Sequence, residues 1–263
     1  MNDTQTINTA NIASRPISLC DFVAGAGPNA AAVLSDLDGC LISGNTMLPG
    51  TDDLVSRAGE RLWVVSNNSS DTAETLSEKL RDMFGLDIPA ERILLAGEQS
   101  IHSLAKSRPG AKVALFASAP LRRLAQELGL WVSRGEDDTV LPDLVLLTRD
   151  HDFSLKDLER VMRLVHLGVP IQISNCDLTH PAADGAPVPE TGALLAALKV
   201  AFPELDAPSI GKPDSHLVSI ALERAGVKPK DAIFLGDTDA TDGGAARAAA
   251  VPFVLITRPQ GVR

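Results

Sequence analysis

Cysteine is scarce in this chain: Cys20, Cys40 and Cys176 stand at scattered positions. An odd, unpatterned set fits neither a disulfide framework nor a zinc spacing, so reduced thiols in a cytosol are expected. No apolar run approaches the roughly 20 residues needed to cross a bilayer. Met1 to Ala13 are polar and lack the basic start and apolar stretch of a signal peptide. Basic residues are outnumbered, 24 against 34 acidic ones, for a net charge of −10. That balance argues against a nucleic-acid or anionic-membrane surface, and an anionic substrate would need a local cation to invert the field at its site. His102, His151, His166 and His216 have no ligand partners at metal spacing, and no repeat of fixed period is visible. The expectation is a soluble, cytoplasmic protein with no nucleic-acid and no membrane partner.

What is present is a chain long enough for a sizeable core, 263 residues with 44% hydrophobic, suiting one large domain or two smaller ones. Short apolar runs alternate with helical patterns, the signature of a parallel sheet with crossover helices, an α/β fold. Strands are expected at about 31–36, 61–66 and 93–95, with helices over 52–58, after an Asp71 N-cap, and over 99–106. The middle repeats the alternation: strands at 113–116, 144–147 and 171–173, helices over 120–128 and from a Ser154 cap to His166. A Pro- and Gly-rich piece, Pro181 to Pro189, reads as a return linker. Helices over 191–200, 214–225 and 245–250, with strands at 232–235 and 253–256, resume the first pattern. The organisation expected is an N-terminal extension (1–30) carrying one short helix, a core (31–104 and 191–263) and an inserted α/β domain (105–190). Trp63 and Trp131 are expected to pack.

Chemistry concentrates at strand ends. Val33 to Ser35 runs into Asp36-Leu37-Asp38-Gly39. Alternation along an extended chain points Asp36 and Asp38 the same way, and two carboxylates this close repel unless a cation or shared proton intervenes. Asp-Leu-Asp-Gly also reads as a plain turn after a strand. Three further clusters recur at strand ends or loops: Ser66-Asn67-Asn68-Ser69, Lys212, and Asp237 through Asp242. Each alone reads as a capped turn, a solvated lysine or an acidic turn. In a parallel sheet the strand C-termini share one edge, so the clusters would meet in one crevice. Carboxylates suited to Mg²⁺, neutral donors and one lysine describe a phosphate site.

These motifs, in this order, resemble the haloacid-dehalogenase (HAD) superfamily phosphatases, and within them the NagD-type, 4-nitrophenylphosphatase-like branch with a large α/β cap. Asp36-Leu37-Asp38-Gly39 matches the first motif, Ser66 to Ser69 the second, Gly211-Lys212-Pro213 the third, and Gly236-Asp237 with Thr241-Asp242 the fourth. Asp150-His-Asp-Phe-Ser, Asn175-Cys-Asp-Leu-Thr-His-Pro and Pro189-Glu-Thr-Gly resemble the cap and cap-to-core segments. The likeness covers about 31 to 257; Cys40, Cys176 and Gly243 depart from it without removing a catalytic group.

The resemblance implies a Rossmann-like core with an inserted cap, and Mg²⁺-dependent hydrolysis of a small phosphorylated metabolite. Asp36 would be the nucleophile forming an aspartyl-phosphate, and Asp38 the general acid and base. Asp36, the Asp38 carbonyl and Asp237 would hold Mg²⁺, with Asp242 orienting metal-bound water or Lys212. Ser66, Asn67 and Asn68 would hold phosphoryl oxygens, Lys212 would offset negative charge, and Asn175 and Asp177 would contact substrate. Two other readings stay open: a phosphate-ligand-binding protein with negligible turnover, and a phosphotransferase to an alcohol. A homodimer through the cap is compatible with the sequence, although no feature of it calls for one.

Overall fold

The computed structural model describes residues 16–25, 29–135, 140–181 and 186–257. Of the expected N-terminal extension, a short helix α1 (Leu19–Ala24) is described, capped by Ser18; residues 1–15 and 26–28 lie outside the described residues. Strand β1 (Ala32–Ser35) is buried throughout, as befits the middle of a sheet covered on both faces. Gly44 and Asn45 turn a small hairpin of β2 (Ile42–Ser43) and β3 (Thr46–Met47) beside its end. Next come α2 (Thr51–Ala58), β4 (Leu62–Ser66), α3 (Ala73–Phe84), β5 (Ile93–Leu95) and α4 (Ala96–Ser107). The N-cap of α3 is Thr72, in a capping box with Thr75, not Asp71. Asp71 instead takes Lys79 at 2.5 Å.

The middle of the chain forms β6 (Lys112–Phe116), α5 (Ala119–Glu127), β7 (Trp131–Ser133), β8 (Leu144–Leu147), α6 (Leu155–His166) and β9 (Ile171–Ile173). The expected linker is in part a hairpin, β10 (Thr179–Pro181) with β11 (Pro187–Pro189); 182–185 lie outside the described residues. Prolines suppressed the strand signal, yet a two-stranded ribbon tolerates them because its outer edge forgoes ladder N–H groups. Then follow α7 (Thr191–Ala201), α8 (His216–Ala225), β12 (Ala232–Gly236), α9 (Gly244–Ala248) and β13 (Phe253–Leu255). A single π-turn, Asp239–Gly243, leads into α9.

The larger sheet is parallel, in the order β13-β12-β1-β4-β5. Its side chains alternate between two apolar clusters: Val33, Val64 and Ile233 face α1, α2 and α3, whereas Leu34, Val65 and Phe234 face α8 and α9. The chain leaves β1 toward β4 on one side and finds β12 on the other, so β1 sits at the switch point where open α/β sheets bind ligands. A second parallel sheet runs β7-β6-β8-β9. Leu115 faces α4 and α5, and Phe116 faces α6 and α7. Because Ile101 and Leu104 of α4, and Leu198 of α7, pack on this second sheet, we propose to count both helices with the inserted domain, moving its bounds to about 96–208. Trp63 is in the core, but Trp131, on the edge strand, is 71% exposed, against expectation. Among the described residues no helix is long and apolar enough to cross a membrane.

The inserted domain carries its own ion-pair network. Asp157 closes a capping box with Ser154 and pairs with Arg134 at 3.0 Å and Arg160 at 3.2 Å. Burial opposes its charge, but the Ser154 hydrogen bonds and Arg134 prevail and hold its carboxyl down to about 2. A depressed pKa contributes stability that is complete above the unfolded value and is lost as pH falls through the folded one. Asp157→Asn is therefore expected to cost about 1–2 kcal/mol at neutral pH. Its urea midpoint should begin to approach that of the parent below about pH 4 and converge on it only as the pH falls through about 2, which denaturation at stepped pH will read.

Candidate active site

Three of the four strand-end clusters lie on the C-terminal edge of the larger sheet, and α8's preceding loop brings the fourth. Asp36 follows β1, Ser66 ends β4 and Asp237 follows β12. Gly39, at φ +84°, turns the chain back after Asp38, its N–H donating to the Ile42 carbonyl at 2.7 Å. Lys212 reaches in from the loop before α8. Its Nζ donates to Asp36 Oδ1 and to Asp242 Oδ1, each at 2.6 Å, and lies 5.7 Å from the centre of the Phe234 ring. The ammonium is 2% exposed and Asp242 is fully buried. Burial alone would lower the lysine's pKa, but the two carboxylates outweigh it and raise it. Burial pushes the Asp36 carboxyl well up, with Lys212 pulling it back and Asp242 adding to the rise.

Asp36, Asp237 and Asp242 each offer an oxygen, all within 4.8 Å of one another. Three carboxylates around one point are hard oxygen donors of the kind Mg²⁺ takes, so the residues fit the ion. The Asp38 carboxylate is not in that group among the described residues; it faces the cleft, where desolvation raises its pKa, Lys212 lowers it and Asp237 adds to the rise. Asp242 spends both oxygens within the protein, one on Lys212 and the other accepting from the Thr238 N–H at 3.1 Å. The π-turn brings it back over Gly236, where an added Cβ would lie 2.3 Å from that of Asp242. Only glycine admits the approach.

The second motif holds the two domains together. Asn67 Oδ1 accepts from the Lys212 N–H at 2.8 Å, while its amide donates to the Lys212 carbonyl and to Asp177 Oδ2, both at 3.0 Å. Asn68 uses its side chain on the turn itself, accepting from the Ser70 and Asp71 N–H groups at 3.0 Å. Ser66 Oγ accepts from the Asn68 N–H. Asn175 is fully buried and does not line the cleft: its amide donates to the Asn67 carbonyl at 2.9 Å and to Ser69 Oγ at 3.1 Å. Asp177 does line the cleft.

Between the two sheets opens a cleft of about 690 Å³ that includes Asp36, Asp38, Ser66, Lys212 and Asp237. Five residues of the inserted domain also line it, Asp177 and Thr179 with Arg149, His180 and Glu190. His180 and Glu190 lie within two of the segments that resemble the cap and cap-to-core regions, and Arg149 directly precedes the third. The motifs alone gave none of them a role, since a single charge near a Pro or Asp tells nothing of where its chain folds back. Arg149 is pinned to the second motif, its N–H donating to the Ser69 carbonyl at 3.1 Å. Its Nε lies 3.4 Å from Glu190 Oε1, and His180 Nδ1 lies 2.7 Å from the same oxygen. Burial pushes the Glu190 carboxyl up to about 7, Arg149 opposing and Asp177 and Asp38 adding to the rise.

Comparison with known proteins fits this geometry. Residues 33–131 match the family model described as haloacid dehalogenase-like hydrolase, and 209–261 a second, HAD-hydrolase-like one. The chain is 28% identical over 226 residues to a dihydroxyacetone phosphatase of Corynebacterium glutamicum, covering 85% of this chain and 79% of that protein. It is also 28% identical over 225 residues to a D-glycerol 3-phosphate phosphatase of Mycobacterium tuberculosis, spanning 85% of this chain but only 62% of that one. The crystal structure of a glycerol phosphate phosphatase from M. tuberculosis in complex with magnesium superposes with a TM-score of 0.79 at 27% identity, over 88% of this chain and 69% of that one. NagD from E. coli shares the fold, with a TM-score of 0.76 at 20% identity over 87% and 88% of the two chains. The ordered strand-end motifs, the two sheets and the two family models, which together span more than half of the sequence, lead to one conclusion: the chain belongs to the haloacid dehalogenase-like hydrolases.

Proposed function

We infer that the chain is a Mg²⁺-dependent phosphatase of small phosphorylated metabolites, with Asp36 as nucleophile. The observation that carries this is the buried lysine clamped between Asp36 and Asp242 at 2.6 Å each, beside an oxygen cluster suited to a divalent ion. Lys212 fixes one oxygen of Asp36 and leaves the carboxylate aimed from the end of β1 into the cleft. We propose that Asp36 attacks phosphorus, forming an acyl phosphate while the bond from phosphorus to the leaving oxygen breaks. Asp38, whose carboxyl faces the cleft beside Asp36, gives its proton to that oxygen. It then takes a proton from the water that attacks the acyl phosphate, releasing Asp36 and inorganic phosphate. Ser66 and the N–H groups around Asn67 receive phosphoryl oxygens, and Asn67 keeps Lys212 in place through both of its backbone groups. Asp36, Asp237 and the Asp38 carbonyl would hold Mg²⁺, whose charge, when bound, stabilises that developing on the transferred phosphoryl group. Asp242 acts by orienting Lys212.

The cleft suggests the kind of leaving group. Among the described residues its lining is wholly polar or glycine, with no aromatic or aliphatic wall on which a flat heterocycle would rest. A phosphorylated sugar or polyol of a few carbons suits it better than a nucleotide or pyridoxal phosphate. The relatives named for dihydroxyacetone, D-glycerol 3-phosphate and acid sugar phosphatase activity act in the same range. The test is phosphate release from a panel of phosphomonoesters. Removing Mg²⁺ with chelator is expected to depress release by about a hundredfold or more, and re-addition to restore it. Release that is indifferent to chelation would contradict the reading.

A further inference from the structure

One oxygen of Glu190 has no hydrogen-bond partner among the described residues. Oε1 lies beside Arg149 Nε and His180 Nδ1, whereas Oε2 is buried with no hydrogen-bond partner among the described residues. The His180 nitrogen, though 2.7 Å from Oε1, is off the line a hydrogen bond needs, so it too is unsatisfied. A buried polar oxygen left unpaired is costly, and such orphans call for an explanation. These two lie on the wall of the substrate cleft. The hairpin of β10 and β11 delivers both residues: His180 pairs in register with Val188, and Glu190 directly follows β11. Arg149 arrives from the end of β8 and is tied to the Ser69 backbone. The three therefore come from two segments of the inserted domain, the end of β8 and the β10–β11 hairpin, and line the same cleft as Asp36.

We propose that Glu190, paired with Arg149 and flanked by His180, is a specificity-determining residue whose Oε2 accepts a hydrogen bond from a hydroxyl of the leaving alcohol. The proposal rests on the phosphatase reading and deepens it. Above about pH 7, where the Glu190 carboxyl is ionised, a carboxylate acceptor selects for a hydroxyl donor and repels a second anionic group, so glycerol phosphate should be preferred over propyl phosphate, which matches its chain but lacks its hydroxyls. Phosphoglycolate, which carries a carboxylate, should be disfavoured although Arg149 is near, because Glu190 already pairs with that cation and Asp38 lies within its field.

The test measures kcat/KM with Mg²⁺ for glycerol phosphate and propyl phosphate, in the parent, Glu190→Ala and Glu190→Gln. The expected result is a loss of about ten- to a hundredfold on glycerol phosphate for Glu190→Ala, with propyl phosphate changed less than about threefold. Glu190→Gln, which keeps an acceptor oxygen, should recover most of the loss. Equal losses on both substrates would mean that Glu190 only supports the fold, and unchanged selectivity that it does not touch the alcohol; either overturns the proposal while the phosphatase reading stands. A parent that releases no phosphate from either ester overturns both.

Discussion

Asp36→Asn is expected to abolish metal-dependent phosphate release, by on the order of a thousandfold or more, while leaving the fold intact. The amide keeps the shape of the carboxylate but cannot form an acyl phosphate. It also removes one of the two negative partners of Lys212, which retains Asp242 at 2.6 Å, so the buried ammonium is still paired. Circular dichroism and thermal midpoint should therefore stay near those of the parent while turnover disappears. Loss of structure along with activity would mean that Asp36 is needed to balance Lys212 rather than to attack phosphorus. Retained turnover would remove Asp36 from the mechanism.

Lys212→Met should destroy both activity and much of the stability. The lysine is the one cation at hydrogen-bonding distance from Asp36 and Asp242 in the described structure, and both carboxylates are buried. Breaking a buried pair by removing one partner costs about 3–5 kcal/mol, because the other charge is left uncompensated. Burial already pushes Asp36 toward its protonated form; without Lys212 that tendency prevails and the nucleophile is lost as well. The two effects separate in a cycle. Lys212→Met with Asp242→Asn should regain a large part of the stability, because one orphaned charge has gone, and none of the turnover. Urea unfolding with and without Mg²⁺ reads the first, phosphate release the second. Equal stability of the single and double variants would contradict the proposed coupling.

Much of the catalytic edge was legible in the sequence because it depends on local rules. A short apolar run ending in Asp36-Leu37-Asp38-Gly39 states a buried strand, a turn and two carboxylates within a few residues. Parallel pairing then fixes which strand ends meet, so Ser66 and Asp237 could be brought to Asp36 without knowing any distance, whereas Lys212, in a loop, was joined to them by the resemblance of the ordered motifs. The finer division of labour was not legible. Asn67, Asn68 and Asn175 are amides in motifs, and only the folded chain shows that Asn67 clamps the Lys212 backbone, Asn68 closes its own turn and Asn175 pins the junction from a fully buried position. The helices α4 and α7 have apolar residues at helical spacing, which states that they pack but not on which sheet. The ribbon of β10 and β11 was hidden by its prolines, and with it went the placement of Glu190. Such contacts join residues far apart in the chain, and no period or cap records them.

The most direct measurement is to capture the phosphoryl group on the protein. Brief mixing with Mg²⁺ and ³²P-labelled glycerol phosphate, an acid quench and peptide mapping should place label on the segment holding Asp36, removable by hydroxylamine as expected of an acyl phosphate. Label on that segment in the parent and none in Asp36→Asn is the result this account predicts. Steady release of phosphate with no labelled protein at any quench time, or label on another residue, would contradict it.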